Sequence, residues 1–436
     1  VFPMRSPVRK MLIGSPGFCL IFLLAGELFA ATIAPIVLPK RKFTVFDVKP
    51  AEVSFAGTSY HEVQKDNGSG GYSFPQWKDN SPTPNGNATD AGDFRFPISY
   101  TGGSKISLSA KLLIVPTPPA GADIRVRALG PGFDFPAQAA TISNGQLVYP
   151  TSEATAALAQ GAGFLNPMVL NWQVSTDSGN HWKNIGQTGN RVYITLADPV
   201  TTSLYETVMD IGGRNAAGAT TAAAAAAAIW SDFFGPLPGV LRKVRDGFNR
   251  ADGAEMSYWL DTSDPRTVPN VCQRLEGMLN PDAADFNGVG TCIAWSQLLK
   301  ESLRAEGIDG PEVLRATPIY DPFNGGAMLV KNWAFASTGT ASGACAPFTF
   351  GPGEATDQPG APGQAVGNPP GIFTSHFIVR YAGKLYDPSY GTGPFPNQQD
   401  WENAGLAGFL DSCDGVDVFK KKNTGALEID LTATGL

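Results

Sequence analysis

The chain contains 436 residues, of which 43% are hydrophobic and only 16% are charged, and it is rich in glycine (50) and proline (35). This length exceeds one ordinary hydrophobic core and predicts two or three domains. The composition is typical of a loop-rich, β-containing extracellular protein and argues against a helical cytosolic enzyme. The net charge of −7 gives no basis for binding nucleic acid or an anionic membrane surface.

The N-terminus has the pattern of an export signal, which we assign to residues 1–34. Arg5, Arg9 and Lys10 form a positively charged start, and Met11–Ala30 is mostly apolar. An uncleaved membrane anchor is the alternative, because the apolar run approaches the length that spans a bilayer, but glycine and proline interrupt it. In either case we expect the rest of the chain to be secreted or to lie in the periplasm or cell envelope.

The pattern of residues 42–200 predicts an all-β domain, which we expect to be an Ig-like β-sandwich. Short runs of alternating apolar and polar residues are separated by Gly, Pro, Asn and Asp, as in sandwich proteins. One stretch predicts a hairpin with Trp172 on one arm and Trp182 on the other. Packing is the more common role of such tryptophans, and carbohydrate stacking is the alternative. Asp66–Asp93 is polar and rich in Gly and Asn, which predicts a long loop.

The composition changes after Pro199, and residues 201–436 predict a second domain of mixed helices and strands. The uninterrupted alanine run Ala222–Ala228 is a strong helix former. The stretch Ser337–Gly371 is very rich in Gly, Pro and Ala, and a loop that long is usually functional or disordered. The predicted helices are Ser203–Ile211, Thr220–Phe234 and Cys272–Leu279, and the predicted strands are Glu312–Thr317, Ala327–Ala336, Phe373–Tyr381 and Lys384–Tyr386.

A cysteine at the start of a helix is the most informative feature of this second domain. In GVGTCIAWSQLLKESLRAEGI, a glycine-rich turn leads into Cys292, and apolar residues at helical spacing predict a helix that ends at Gly307. The unpaired N–H groups and the dipole of a first helical turn favour a thiolate at this position. A buried structural cysteine is the competing interpretation, and it is the better one for a cysteine considered alone.

The sequence downstream supplies a base and a carboxylate. His376 is the only histidine in the second half of the chain, and Asp387 follows it across a short predicted hairpin. A turn at Tyr381-Ala382 would place the two side chains directly opposite each other. A turn at Ala382-Gly383 would place them diagonally, where contact is marginal. Each residue alone would be a surface histidine or a turn aspartate. The ordered trio of nucleophile, base and orienting carboxylate favours nucleophilic catalysis.

Two segments resemble the transglutaminase-like superfamily. GVGTCIAWSQLLKESLRAEGIDGPEVLRAT is similar to its cysteine helix, and HFIVRYAGKLYDPSYG to its His and Asp strands. The resemblance implies a papain-like α+β fold for residues 201–436, with Cys292 as nucleophile, His376 as base and Asp387 as orienting residue. It leaves the side-chain donor of the oxyanion hole open, with Gln273 and Trp259 as the candidates. The backbone N–H of Cys292 offers a further donor.

The remaining cysteines leave two disulfide pairings open. If Cys292 is a nucleophile it must be a free thiol, and Cys345 with Cys413 is then our expected bridge, since both lie in Gly-, Ala- and Ser-rich sequence. Cys272 with Cys292 is the competing pairing, and it is incompatible with catalysis.

We therefore expect an exported cysteine-dependent acyl transfer enzyme, either a peptide or isopeptide hydrolase or a transglutaminase-type crosslinker. Hydrolysis is favoured because the sequence identifies no amine-acceptor site. The expected partner is a protein or peptide substrate, including a cell-wall peptide. No cofactor or metal is expected, because Asp282–Gly288 only faintly resembles a calcium loop and lacks the closing glutamate.

Two alternatives involve no catalysis. The first is a cell-envelope binding or adhesion protein in which the transglutaminase-like domain is an inactive scaffold. The second is a structural envelope protein, for which the low charge and the Gly and Pro content are the arguments.

Overall fold

The computed structural model describes residues 46–436 apart from 73, 81–92, 120, 235–248, 260–271, 284–287, 320–325, 332, 336–350, 353–354, 358–362, 368, 370 and 414–415. The predicted signal sequence, residues 1–34, lies outside these residues. So do Cys345 and most of the Ser337–Gly371 loop.

Two six-stranded sheets form the N-terminal region and confirm its all-β character. The first sheet has the strand order β4-β3-β1-β6-β10-β9, and the second has the order β2-β5-β12-β11-β7-β8. Only the β12–β5 pair is parallel within these two sheets as described. The strands are β1 (Asp47–Ala56), β2 (Tyr60–His61), β3 (Trp77–Lys78), β4 (Phe94–Arg95), β5 (Ile98–Thr101), β6 (Ser107–Val115), β7 (Arg125–Leu129), β8 (Asp134–Ala139), β9 (Thr141–Ser143), β10 (Gln146–Glu153), β11 (Gly163–Ser175) and β12 (Lys183–Thr195).

One hydrophobic core lies in this β region and receives side chains from both sheets. Trp172 is fully buried in it, and its indole N–H donates to Thr188 Oγ1 at 3.0 Å. Trp172 therefore has the packing role. Trp182 is half-buried, with the Arg127 guanidinium 4.1 Å above its ring. The predicted loop Asp66–Asp93 was too broad, because it contains β3, whose Trp77 is also fully buried in this core.

In the described part of the chain the helices lie after residue 200, and the four predicted ones have shorter bounds than expected, while a fifth, Gln398–Gly405, was not predicted. The alanine run forms α2, and the Thr221 side chain caps it by accepting from the Ala224 N–H at 3.2 Å. The predicted helix Ser203–Ile211 divides into one α-helical turn and a π-helical turn, Asp210–Arg214. The helices are α1 (Glu206–Met209), α2 (Ala222–Phe233), α3 (Leu275–Leu279), α4 (Cys292–Ala305) and α5 (Gln398–Gly405).

The remaining strands form two five-stranded sheets and two short two-stranded ones. The five-stranded sheets have the orders β23-β22-β21-β15-β26 and β18-β25-β24-β16-β20, and the short ones pair β13 with β14 and β17 with β19. The strands are β13 (Ser257–Tyr258), β14 (Val289–Gly290), β15 (Glu312–Pro318), β16 (Ala327–Val330), β17 (Trp333–Phe335), β18 (Gly351–Pro352), β19 (Ala355–Asp357), β20 (Ile372–Phe373), β21 (His376–Tyr381), β22 (Lys384–Asp387), β23 (Thr392–Phe395), β24 (Leu406–Cys413), β25 (Val416–Lys421) and β26 (Ile429–Ala433).

A second large core surrounds α4, which packs against α1, α2, α3 and β21. It consists mainly of residues beyond position 200 and also contains Val63, Ala162 and Tyr193 from the β region. Phe46–Leu436 form one compact unit. The boundary that we place between residues 200 and 201 stays a prediction. In the described part of the chain, no helix is both long and apolar enough to cross a bilayer.

Candidate active site

Cys292 is the first residue of α4, as the sequence predicted. Thr291 precedes it in an extended conformation, so the Cys292 N–H lies in the first helical turn and has no acceptor within the helix. The cysteine is 5% exposed. A thiol at this position is partly desolvated and lies at the positive end of the helix dipole.

The segment before α4 is held by two other parts of the chain. Gly290 in β14 pairs in parallel with Tyr258 in β13, and its carbonyl accepts the Trp259 N–H at 3.1 Å. On the other side, the Thr291 N–H donates to the Cys272 carbonyl at 3.0 Å. Backbone hydrogen bonds thus fix the approach to the cysteine from both sides.

His376 and Asp387 come together on β21 and β22. His376 Nε2 lies 2.8 Å from Asp387 Oδ2, and the two residues are 3% and 5% exposed. The other carboxylate oxygen, Oδ1, accepts the Tyr390 N–H at 3.4 Å. This arrangement fixes the ring orientation and places the proton of a neutral imidazole on Nε2.

The hairpin between these strands turns at Ala382-Gly383, where both residues have positive φ (49° and 74°). Its register pairs Val379 with Tyr386 and Tyr381 with Lys384, so His376 and Asp387 are diagonal neighbours. Contact in this register was expected to be marginal, and that expectation was wrong. Asp387 is the last residue of β22, and the pairing with β23 is irregular just before it, so the strand does not continue as a regular ladder.

Opposing effects set the pKa of His376. Burial disfavours the imidazolium and lowers the pKa, but the charges of Asp387 and Cys292, and hydrogen bonding to them, favour it. Together they raise the pKa of His376 from 6.5 to about 10. An imidazolium at neutral pH stabilises a neighbouring thiolate.

The second ring nitrogen of His376, Nδ1, remains for Cys292. This atom is buried and has no hydrogen bond of normal geometry among the described residues. Cys292 nevertheless contributes to the raised pKa of His376, which indicates that the sulfur lies near the ring. Such contacts often tighten only when a substrate binds.

Two buried tyrosines complete the surroundings of the triad. Tyr258 and Tyr390 pack edge to face with ring centroids 5.2 Å apart, and the Tyr390 ring lies 5.7 Å from that of His376. Burial, with the nearby Asp387 and Cys292 charges, raises the pKa of both phenols well above 10. Both therefore stay neutral. Sequence patterns did not single out either residue, because each lies far from Cys292 in the chain.

Of the two candidate oxyanion donors, Trp259 has the more suitable environment. Its indole nitrogen is buried and has no hydrogen-bond partner among the described residues, and the side chain lines the cavity that contains Cys292. Its backbone adopts φ +68°, which is uncommon for a bulky residue and marks a constrained position. Gln273 lines the same cavity, but it is exposed.

Gln364 joins the two halves of the site, a role that no sequence pattern indicated. The residue is fully buried, and its side-chain amide donates to the carbonyls of Phe233 (2.9 Å) and Pro388 (2.7 Å). Its backbone accepts the Tyr258 N–H at 2.7 Å and donates to the Ser389 carbonyl at 3.0 Å. One residue of the glycine-rich loop thus links the segment beside Trp259 to the segment after Asp387.

Cys272 and Cys292 are both free thiols. The Cys272 sulfur donates to the Arg274 carbonyl at 3.2 Å, away from Cys292, so the competing disulfide is absent. The Cys345–Cys413 bridge stays a prediction, because Cys345 and the side chain of Cys413 lie outside the described residues.

A cavity of about 460 Å³ opens onto Cys292. This volume falls in the usual range for small-molecule and side-chain binding sites. The described lining residues are Trp259, Gln273, Thr291, Cys292, Ile293, Ile372, Phe373, Thr374, Ser375, Phe377, Leu410 and Asp417. Among the side chains that the structure describes, no three His, Cys, Asp or Glu residues cluster so as to hold a metal ion.

No protein-family model matches this sequence, and no curated protein matches it. The resemblance to the transglutaminase-like superfamily therefore depends on the segments around Cys292, His376 and Asp387.

Proposed function

We propose that this protein is a cysteine-dependent acyl transfer enzyme with Cys292 as nucleophile, His376 as general base and acid, and Asp387 as the orienting residue. The observation that carries the proposal is the buried 2.8 Å contact between His376 Nε2 and Asp387 Oδ2. The other ring nitrogen of His376, Nδ1, has no partner among the described residues and remains for the thiol of Cys292, which begins a helix. Any one of these features is common in proteins. Their combination, with Cys292 lining a cavity, favours catalysis.

The proposed reaction proceeds in two halves. The Cys292 thiolate attacks the carbonyl carbon of an amide, and when the C–N bond breaks, the His376 imidazolium protonates the leaving amine. Water then attacks the thioester while His376 accepts one of its protons. The C–S bond breaks, which releases the acid and regenerates the thiolate. A primary amine in place of water would give a crosslink. We favour hydrolysis because the sequence identifies no amine-acceptor site.

Negative charge develops on the carbonyl oxygen in both halves and requires hydrogen-bond donors. We assign this role to the backbone N–H of Cys292 and the indole N–H of Trp259. The indole fits the role because it lacks a partner in the folded protein and lines the cavity. The backbone N–H of Trp259 also donates to the carbonyl of Gly290, two residues before Cys292.

At the level of fold, we propose a papain-like, transglutaminase-like domain over residues 201–436 and an Ig-like sandwich over residues 42–200. The cysteine helix packs against the His strand β21, which pairs with the Asp strand β22, and this arrangement supports the first assignment. The two sheets that share one core support the second. Export through residues 1–34 stays part of the proposal, as does a protein or peptide substrate.

Alkylation by iodoacetamide tests the proposal. Cys292 should react faster than a free thiol such as glutathione at pH 7, and the His376→Ala variant should lose this excess reactivity. Peptide mapping by mass spectrometry would follow Cys292 and Cys272 separately, so that Cys272 serves as the internal control. A Cys292 that reacts no faster than Cys272, with or without His376, would contradict the proposal.

A further inference from the structure

The cavity at Cys292 has mainly apolar walls. Ile293, Ile372, Phe373, Phe377 and Leu410 contribute to them. Ile372 and Leu410 are only partly buried, and they pack against the small core of Leu329 and Phe419. Apolar side chains left open to solvent around a nucleophile create a favourable environment for an apolar substrate group.

A single carboxylate lies at the edge of this apolar cavity. Asp417, near the start of β25, is the only ionisable group besides Cys292 among the described lining residues. Its side chain is exposed, and no hydrogen bond or ion pair to it is present within the described part of the chain. On the same strand, the Lys420 ammonium pairs with Glu428. The Asp417 carboxylate is therefore available to a ligand.

We infer that the acyl donor combines an apolar group next to its reactive carbonyl with a positively charged group, an ammonium or a guanidinium, that pairs with Asp417. This inference rests on the proposed function, since it assumes that the cavity binds the acyl donor of Cys292. The apolar group would occupy the walls, and the cation would lie at the rim beside β25. A carboxylate at that end of the substrate would be disfavoured by repulsion from Asp417.

Two activated esters of matched length provide the test: p-nitrophenyl 6-aminohexanoate, which ends in an ammonium, and p-nitrophenyl heptanoate, which ends in a methyl group. The measured quantity is the ratio of their acylation rates at Cys292, followed by release of p-nitrophenol and by mass spectrometry. In Asp417→Asn this ratio should fall about two- to fivefold, the range of an exposed ion pair. In Asp417→Lys it should fall further, and in wild type 1 M salt should remove most of the preference.

The matched control is Asp309→Asn, which removes the same charge from an exposed position beyond the far end of α4. Its ester ratio should equal that of wild type. A ratio that stays unchanged in both Asp417 variants, or that changes equally in the Asp309 variant, would overturn the inference.

A second measurement separates failure of the inference from failure of the proposed function. Cationic and anionic methanethiosulfonates form a mixed disulfide with a cysteine and release methanesulfinate, so they need no catalytic machinery. If heptanoate does not acylate Cys292, the proposed function fails, and the cationic-to-anionic labelling ratio at Cys292 still reports the field of Asp417. If this labelling ratio does not fall in Asp417→Asn, the inferred attraction between Asp417 and a cationic group is overturned as well.

Discussion

His376 and Asp387 meet diagonally across the β21–β22 hairpin, with Nε2 and Oδ2 2.8 Å apart and both side chains buried. Val379 and Tyr386 are direct partners in this hairpin, so Asp387 lies beside Ile378 rather than beside His376. The carboxylate reaches past the strand position next to it to contact the ring. Its effect on the ring can be measured by removing its charge.

We expect Asp387→Asn to lower the pKa of His376 from its value of about 10, because burial would then act with less opposition. Acyl transfer should fall by roughly 10²–10⁴-fold, the usual contribution of general acid–base catalysis. A raised imidazole pKa stabilises the fold fully below pH 6.5, and the contribution is lost as the pH rises through about 10. The stability difference between wild type and Asp387→Asn should therefore be largest near pH 6 and shrink towards pH 10, as measured by urea unfolding. A difference independent of pH would contradict this account.

The Trp259→Phe variant separates the hydrogen bond that the indole N–H would donate to the oxyanion from the packing of the aromatic ring. The variant keeps an aromatic group in the cavity wall but loses the indole N–H, and we expect acyl transfer to fall by about 10²–10³-fold. Alkylation of Cys292 by iodoacetamide should change little, because that reaction develops no oxyanion. Gln273→Leu tests the rival donor, and a larger loss in that variant than in Trp259→Phe would assign the role to Gln273.

Gln364→Met should destabilise the protein and the site together. The change removes both side-chain donors and leaves the buried carbonyls of Phe233 and Pro388 without them, at a cost of about 1–3 kcal/mol each. Gln187→Met, an exposed change of the same chemistry on β12, is the control and should be near neutral. Gln364→Glu should recover part of the stability at low pH, where a protonated carboxyl donates again, and lose it at neutral pH. Equal unfolding curves for wild type and Gln364→Met would contradict the positioning role.

Glu306 gives a pH dependence that is independent of the triad. This residue follows α4 and is fully buried. Burial raises its pKa from 4.5 to about 7, partly offset by the hydrogen bond that its Oε2 accepts from the Leu196 N–H at 3.0 Å. Because the folded state holds this proton and the unfolded state releases it, stability should decrease as the pH rises from 4.5 to 7. Glu306→Gln keeps the acceptor oxygen but cannot ionise, so it should be more stable than wild type by about 3 kcal/mol at pH 8 and similar at pH 4.

The control for this prediction is Glu255→Gln, an exposed glutamate whose replacement should leave the pH profile of unfolding unchanged. A Glu306→Gln variant with the same pH slope as wild type between pH 4.5 and 7 would show that another group titrates there. Asp66 is the first alternative to examine, because burial raises its pKa to about 6.

Local patterns in the sequence were sufficient to single out Cys292, His376 and Asp387 as candidates. A glycine turn before an amphipathic helix, and a strand–turn–strand with a histidine and an aspartate, are signals contained within short windows. The helix over the alanine run and the all-β character of the N-terminal region were accessible for the same reason. Both follow from propensity and periodicity of neighbouring residues.

Gln364 and Trp77 could not be placed in this way, and Trp259 was only one of two candidate oxyanion donors. Trp259 reaches the cavity through a backbone bond to Gly290, and Gln364 joins Tyr258 to Pro388 from within a stretch that has the composition of a loop. Trp77 lies in a polar segment but enters the β core. In each case tertiary pairing across long sequence separations decides the position, and a single sequence carries no periodic signal for it.

The large sequence separation between the parts of this site affects the order in which the protein folds. Cys292, the His376–Asp387 pair and Trp259 come from separate stretches of the chain. The hydrogen bonds of Gln364 connect two of these stretches and require both to be in place. Contacts of this kind form late, since the chain must close long loops before they contribute. The rate of Cys292 alkylation during refolding would therefore report when the site is assembled. We expect it to rise only in the last kinetic phase, after the secondary structure has formed.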